Sequence, residues 1–103
     1  MPKGYVIVTE SIKDPAGLEV YARAAGASLV ASGGSVLAVD DTPQQLEGEW
    51  HGDRTVVLEF ESVEAARAWY ESAEYGEAKP LRHAAADSNM VIVAGFEPPA
   101  ANG

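Results

Sequence analysis

A chain of 103 residues has the length of one domain, and a domain of this size buries enough surface to hold a core without staples. It has no cysteine, which removes disulfides, thiolate nucleophiles and cysteine metal sites and fits a cytoplasmic location. Sixteen acidic residues against seven scattered bases give a formal charge of −9, so neither nucleic acid nor an anionic membrane is expected as a partner.

Met1-Pro2-Lys3-Gly4 runs straight into a short apolar stretch, without the apolar core and cleavage site of a signal peptide. Tyr5 to Glu10 is β-branched and aromatic, a strand signal. Asp14-Pro15 combines an N-cap with a first-turn proline and predicts a helix start. Leu18, Tyr21, Ala22, Ala25 and Leu29 then recur at helical spacing as one apolar stripe. Ser32-Gly33-Gly34 ends that helix, because glycine supplies the left-handed terminal turn.

Ser35 to Val39 is the second predicted strand. A long connection follows, in which Leu46-Glu47-Gly48-Glu49-Trp50 can form a short edge segment and His51-Gly52-Asp53 a tight turn. Arg54 to Phe60 is the third strand. Ser62 caps a helix with Glu64 in its first turn, where an acid complements the helix dipole. Ser72 caps a further segment, Ala73 to Ala86, which Pro80 is expected to kink or divide into two short helices. Asn89 to Phe96 is the last strand. The expected organisation is one domain over residues 1–97 with a tail at 98–103. The order βαββαβ, with right-handed crossovers, gives an α+β ferredoxin-like fold: a four-stranded antiparallel sheet with helices on one face.

A sheet covered on one side should alternate apolar and polar residues. Here both faces are apolar: Tyr5 and Ile7 oppose Val6 and Val8, Val36 and Ala38 oppose Leu37 and Val39, and Met90, Ile92 and Ala94 oppose Val91 and Val93. Helices cover one face only, so the other needs a partner. A homodimer through the open sheet face is the simplest one.

The element order, together with Leu46-Glu47-Gly48-Glu49-Trp50, Glu59-Phe60-x-Ser62, Glu64-Ala65-Ala66-x-Ala68-Trp69-Tyr70, Ser72-x-Glu74-Tyr75 and Leu81-Arg82-x-x-Ala85, resembles the DUF1330 family over residues 4 to 97. The resemblance implies a dimeric α+β barrel. Relatives in that wider superfamily include cofactor-independent monooxygenases, heme-degrading enzymes, heme peroxidase-like proteins and small isomerases. Fold alone does not choose among these activities, and whether the chain is an enzyme stays open.

His51 and His83 are far apart and no three- or four-ligand spacing occurs, so no metal is expected. Gly33-Gly34 precedes a strand rather than a helix, so it forms no phosphate cradle. Nor is there a nucleophile elbow. The heme-degrading relatives bring an asparagine, a tryptophan and a histidine to heme; the first strand here offers Thr9 instead of asparagine, and no cofactor is expected. What remains is a candidate small-molecule pocket between helices and sheet, lined by Tyr21, Arg54, Trp69, Tyr70, Tyr75, Arg82 and His83. Arg82 offers a bidentate fork to a carboxylate or enolate, against the alternative of a salt bridge to Glu59 or Glu74. His83 is a candidate base or a solvated surface histidine. Trp69, Tyr70 and Tyr75 can line a pocket or fill the core. Arg54 can pair with Glu49 or Asp53, and Trp50 is expected at the dimer interface or loop edge. Proton transfer or oxygenation on an activated carbonyl or phenol-like substrate suits such a set, and non-catalytic binding is the alternative.

Overall fold

The computed structural model of the protein describes residues 2–99. Residues 100–103 of the expected tail lie outside the described residues. The elements are β1 (Gly4–Ile12), α1 (Pro15–Ala31), β2 (Ser35–Asp40), β3 (Arg54–Phe60), α2 (Val63–Tyr70), α3 (Ala73–Ala85) and β4 (Ala86–Ala94). The strands form one antiparallel sheet in the order β2-β3-β1-β4, the ferredoxin-like α+β arrangement.

The caps sit where the sequence placed them. Asp14 accepts from the Gly17 amide, Ser62 from the Ala65 amide and Ser72 from the Tyr75 amide, each meeting a helix donor that would otherwise go unpaired. Gly33 takes φ +74° just past the Ser32 C-cap. Gly52 takes φ +81° in the turn before β3, and the next amide, Asp53, donates to the Glu10 carbonyl.

Four expectations are corrected, the first being that β4 starts at Ala86, directly after α3, rather than at Asn89. Pro80 lies inside one continuous helix, α3. The proline ring is on the exposed side, while Tyr75 and Ala78 before it and Arg82 and Ala85 after it are buried, so packing holds both halves on one axis. Leu46 to Trp50 is not a strand: Gly48 is left-handed at φ +72°, and the Gln45 side chain bonds both the Gly48 carbonyl and the Trp50 amide. Finally, a bulge between Val36 and Ala38 breaks the alternation of β2, so that Val36 and Val39, opposite Leu58 and Val56, share the helix-side face.

The core joins Val6 and Val8 of β1, Leu58 and Phe60 of β3, Leu29 of α1 and the aromatics of the last two helices. The Trp69 ring stacks at 5.4 Å from Phe60 and 4.2 Å from Tyr75. Trp69 and Tyr75 are thus core residues first, as their apolar bodies favour. Coverage of the sheet is uneven. α2 lies over β1, while α1 packs chiefly against α3 rather than down on the strands. Every residue of β2 is exposed. The space left between α1 and the β2 side of the sheet is where the candidate site lies.

Candidate functional site

Strand register assembles the site. On the helix-side face, β3, β1 and β4 contribute successive cross-strand rows: Leu58, Val6 and Ile92; then Val56, Val8 and Met90; then Arg54, Glu10 and Ser88. The first two rows are apolar and the third is polar. Above them a cavity of about 210 Å³ opens beneath α1, with Val8, Leu58 and Trp69 as apolar wall and Glu10, Tyr21 and Arg54 as polar wall.

Glu10 is the unforeseen member. It is 3% exposed, and its carboxyl forms neither a hydrogen bond nor an ion pair among the described residues. Burial pushes its pKa above the ordinary value of 4.5, against the pull of the Arg54 and Arg82 cations. The sequence did carry a signal for it. The period of two places Glu10 on the same face as Val6 and Val8, an acid at an inward position.

The other polar groups are largely committed. The Arg54 guanidinium bonds Asp41, with Nη2 at 3.3 Å from Oδ2, rather than the expected Glu49 or Asp53. That bond holds the Asp41 carboxyl below its usual range. Trp69 Nε1 donates to Ser28 Oγ at 3.0 Å, and Ser28 donates on to the Ala25 carbonyl. The Tyr21 and Tyr75 hydroxyls share a 2.9 Å hydrogen bond. Burial, with Tyr75 beside it, drives the Tyr21 phenol strongly upward, so it stays protonated.

Behind Tyr75 the chain of contacts continues. Arg82 is 4% exposed, and its Nε donates to Tyr75 Oη at 3.2 Å while Nη2 lies 3.3 Å from His83 Nε2. The expected salt bridge to Glu59 or Glu74 is absent: Glu59 accepts from Tyr5 and lies near Lys3, and Glu74 is exposed in the first turn of α3. Arg82, the exposed His83 and Tyr70 face a second, open depression at the α3–β4 junction. The seven residues singled out from the sequence therefore divide. Tyr21, Arg54 and Trp69 line the cavity under α1, Tyr75 is buried behind it, and Tyr70, Arg82 and His83 lie on the far side. Trp50 is half-exposed in its loop and donates to Thr55 Oγ1 at 2.8 Å. Among the described residues no group of three or more His, Asp or Glu side chains could hold a metal ion, and no helix is long and apolar enough to cross a membrane.

The fold and the inner cavity define a ferredoxin-like α+β protein with a small chamber between helix and sheet. The chain belongs to the DUF1330 family, a domain of unknown function, whose model matches residues 3–96. Solved structures repeat the architecture. A protein of unknown function from Rhodopseudomonas palustris is similar with a TM-score of 0.75 at 22% identity, covering 94% of this chain and 85% of that one. SnoaB of Streptomyces nogalater, a cofactor-independent oxygenase, is similar with a TM-score of 0.64 at 13% identity, covering 96% and 98%. A dimeric ferredoxin-like protein of unknown function from Thermobifida fusca is similar with a TM-score of 0.61 at 16% identity, covering 90% and 91%. Identities this low establish a shared fold and nothing further. None of the curated proteins matches the chain at a significant level.

Proposed function

We propose that the protein is a homodimer that binds a small, mainly apolar molecule in the chamber under α1, and that Glu10 exchanges a proton with it. The observation that carries this reading is the buried Glu10 carboxyl, without a hydrogen-bond partner among the described residues, on the wall of a mainly apolar cavity. A carboxyl whose pKa is raised by burial is suited to acid–base work. When ionised, Glu10 can take a proton from a phenolic O–H or from a carbon beside a carbonyl, leaving the electron pair on the ligand as a phenolate or enolate. Return of the proton to a different atom is isomerisation. Reaction of the same anion with dioxygen is oxygenation without a cofactor, the class of activity named for SnoaB. Cavity size limits the ligand to a compact molecule, since about 210 Å³ lies below the usual range for drug-sized sites.

One observation favours a second reading, non-catalytic binding. Arg54 is held by Asp41 and Trp69 Nε1 by Ser28, so Tyr21 alone remains near Glu10 to meet a developing negative charge. Deuterium wash-in separates the two. A panel of compact phenols and 1,3-dicarbonyls is incubated with protein in D₂O and followed by NMR. Proton transfer predicts deuterium entering a carbon-bound position of at least one compound faster than in protein-free buffer, an acceleration that Glu10→Gln abolishes while binding persists. Binding without acceleration over the protein-free rate supports the second reading, and an acceleration that survives Glu10→Gln contradicts the first.

Support for the dimer comes from the uncovered sheet face. Ile7 stands opposite both Val57 and Val91, with Val93 beside them opposite Tyr5. Val91 is 52% and Val93 40% exposed. Apolar surface gains about 25 cal/mol for each Å² removed from water, and a second copy of the same face supplies a matching partner.

A further inference from the structure

We infer that the depression at the α3–β4 junction, which shares the Met90 wall with the chamber under α1 but opens on its far side, is a binding site for a small organic carboxylate; the inference does not rest on the reading given for the chamber. The depression is lined by Tyr70, Arg82, His83, Ala86, Asp87, Ser88 and Met90. Two features call for an anion. Arg82 is almost wholly buried yet has no carboxylate partner; Nε and Nη2 are taken by Tyr75 and His83, and Nη1 makes no hydrogen bond among the described residues. The acid Glu10 acts on it only through space; a buried cation with no hydrogen-bonded carboxylate is costly, and a ligand carboxylate supplies one. Independently, Ser88 Oγ is a buried hydroxyl with no hydrogen-bond partner. A carboxylate seated here accepts from Arg82 Nη1 with one oxygen and from Ser88 Oγ with the other. The Arg82 plane is fixed in advance by its two existing bonds, which lowers the ordering cost of capture.

The chemistry selects a monoanionic carboxylate over a phosphate. Asp87 stands on the rim, Glu10 is the cross-strand neighbour of Ser88 on the same face, and the chain carries −9 overall, so a second negative charge on the ligand is repelled. The Tyr70 ring, Ala86 and Met90 give an apolar wall for a carbon skeleton. The Tyr70 ring is itself pinned by Lys79, whose Nζ sits 3.9 Å from the ring centroid. An aromatic or short aliphatic acid fits this combination.

The test is titration of the purified protein with benzoate and with inorganic phosphate at constant ionic strength, by calorimetry and amide NMR. Benzoate is expected to bind saturably and more tightly than phosphate. Ser88→Ala should weaken benzoate about tenfold, the value of one hydrogen bond to a charged group. The same variant should melt at the wild-type temperature or higher, because it deletes a buried hydroxyl that has no partner. Asp87→Asn should tighten binding several-fold. Gly26→Met, which fills the other chamber, should leave benzoate affinity unchanged. Absence of saturable binding, tighter phosphate than benzoate, indifference to both Ser88→Ala and Asp87→Asn, or loss of binding in Gly26→Met would each overturn the assignment.

Discussion

Replacing Glu10 by Gln keeps the shape of the side chain and removes its charge. In the wild type near neutral pH, folding either strips water from a carboxylate or takes up a proton. Arg54 and Arg82 oppose that cost, and the upward direction of the shift says burial outweighs them. The sign follows from linkage. The folded protein holds the Glu10 proton more tightly than the unfolded chain does. The Glu10 contribution to stability therefore falls as pH rises from the ordinary value of 4.5 through the raised folded pKa, and is flat above it. The glutamine variant has no such loss. Mutational data place a buried polar group without a partner at about 1–3 kcal/mol. Glutamine retains part of that penalty through its amide, so a net gain of about 1 kcal/mol is expected, or about 4–8 °C in melting temperature for a chain of this size. The assay is thermal or urea unfolding of both proteins at matched concentration from pH 4 to pH 8. The two curves should converge at the acid end and separate with rising pH, the variant above. A variant less stable than wild type throughout, with the gap widest at neutral pH, would refute the reasoning: it would mean the carboxylate is stabilised by Arg54 or Arg82 rather than stranded.

Tyr75→Phe removes the hydroxyl that joins Tyr21 to Arg82 and strands the buried Arg82 Nε. A loss of about 1–3 kcal/mol in urea unfolding is expected, and an unchanged midpoint would show that the network contributes nothing to stability. Val91→Lys places a charge in the middle of the open sheet face. Light scattering should show the wild type at twice the chain mass and the variant shifted toward monomer; a wild type that remains monomeric at micromolar concentration would remove the dimer. Ser62→Ala deletes the cap of α2 and should cost about 1 kcal/mol, read from the denaturation midpoint.

Element order was legible because every helix start carries a capping residue and every strand but one lies on a clear apolar run. The misreadings have local causes. Pro80 looks like a helix breaker from sequence, but burial of Tyr75, Ala78, Arg82 and Ala85 on both sides overrides the lost hydrogen bond. β4 begins at Ala86 rather than Asn89, because the strand leaves α3 with no loop and pairs at once with Ile12. Of the candidate site, the aromatics and arginines were visible as residue types, but their division between two cavities was not, since it depends on α1 leaning toward α3. Glu10 was missed for a related reason. Both faces of β1 are apolar, so alternation alone could not say which face turns inward, and only the inward face makes a glutamate unusual.

Gly26→Met tests whether a ligand occupies the chamber under α1. Gly26 lines the chamber, and a Cβ there meets nothing within 4 Å, so the longer side chain enters open space. Exchanging helical glycine for methionine also favours the fold, by up to about 1 kcal/mol. Calorimetric titration with whichever compact phenol or dicarbonyl binds the wild type should show binding lost in Gly26→Met, with the melting temperature of the free variant equal to or above wild type. Undiminished affinity in a variant that folds normally would place the ligand elsewhere and contradict the account.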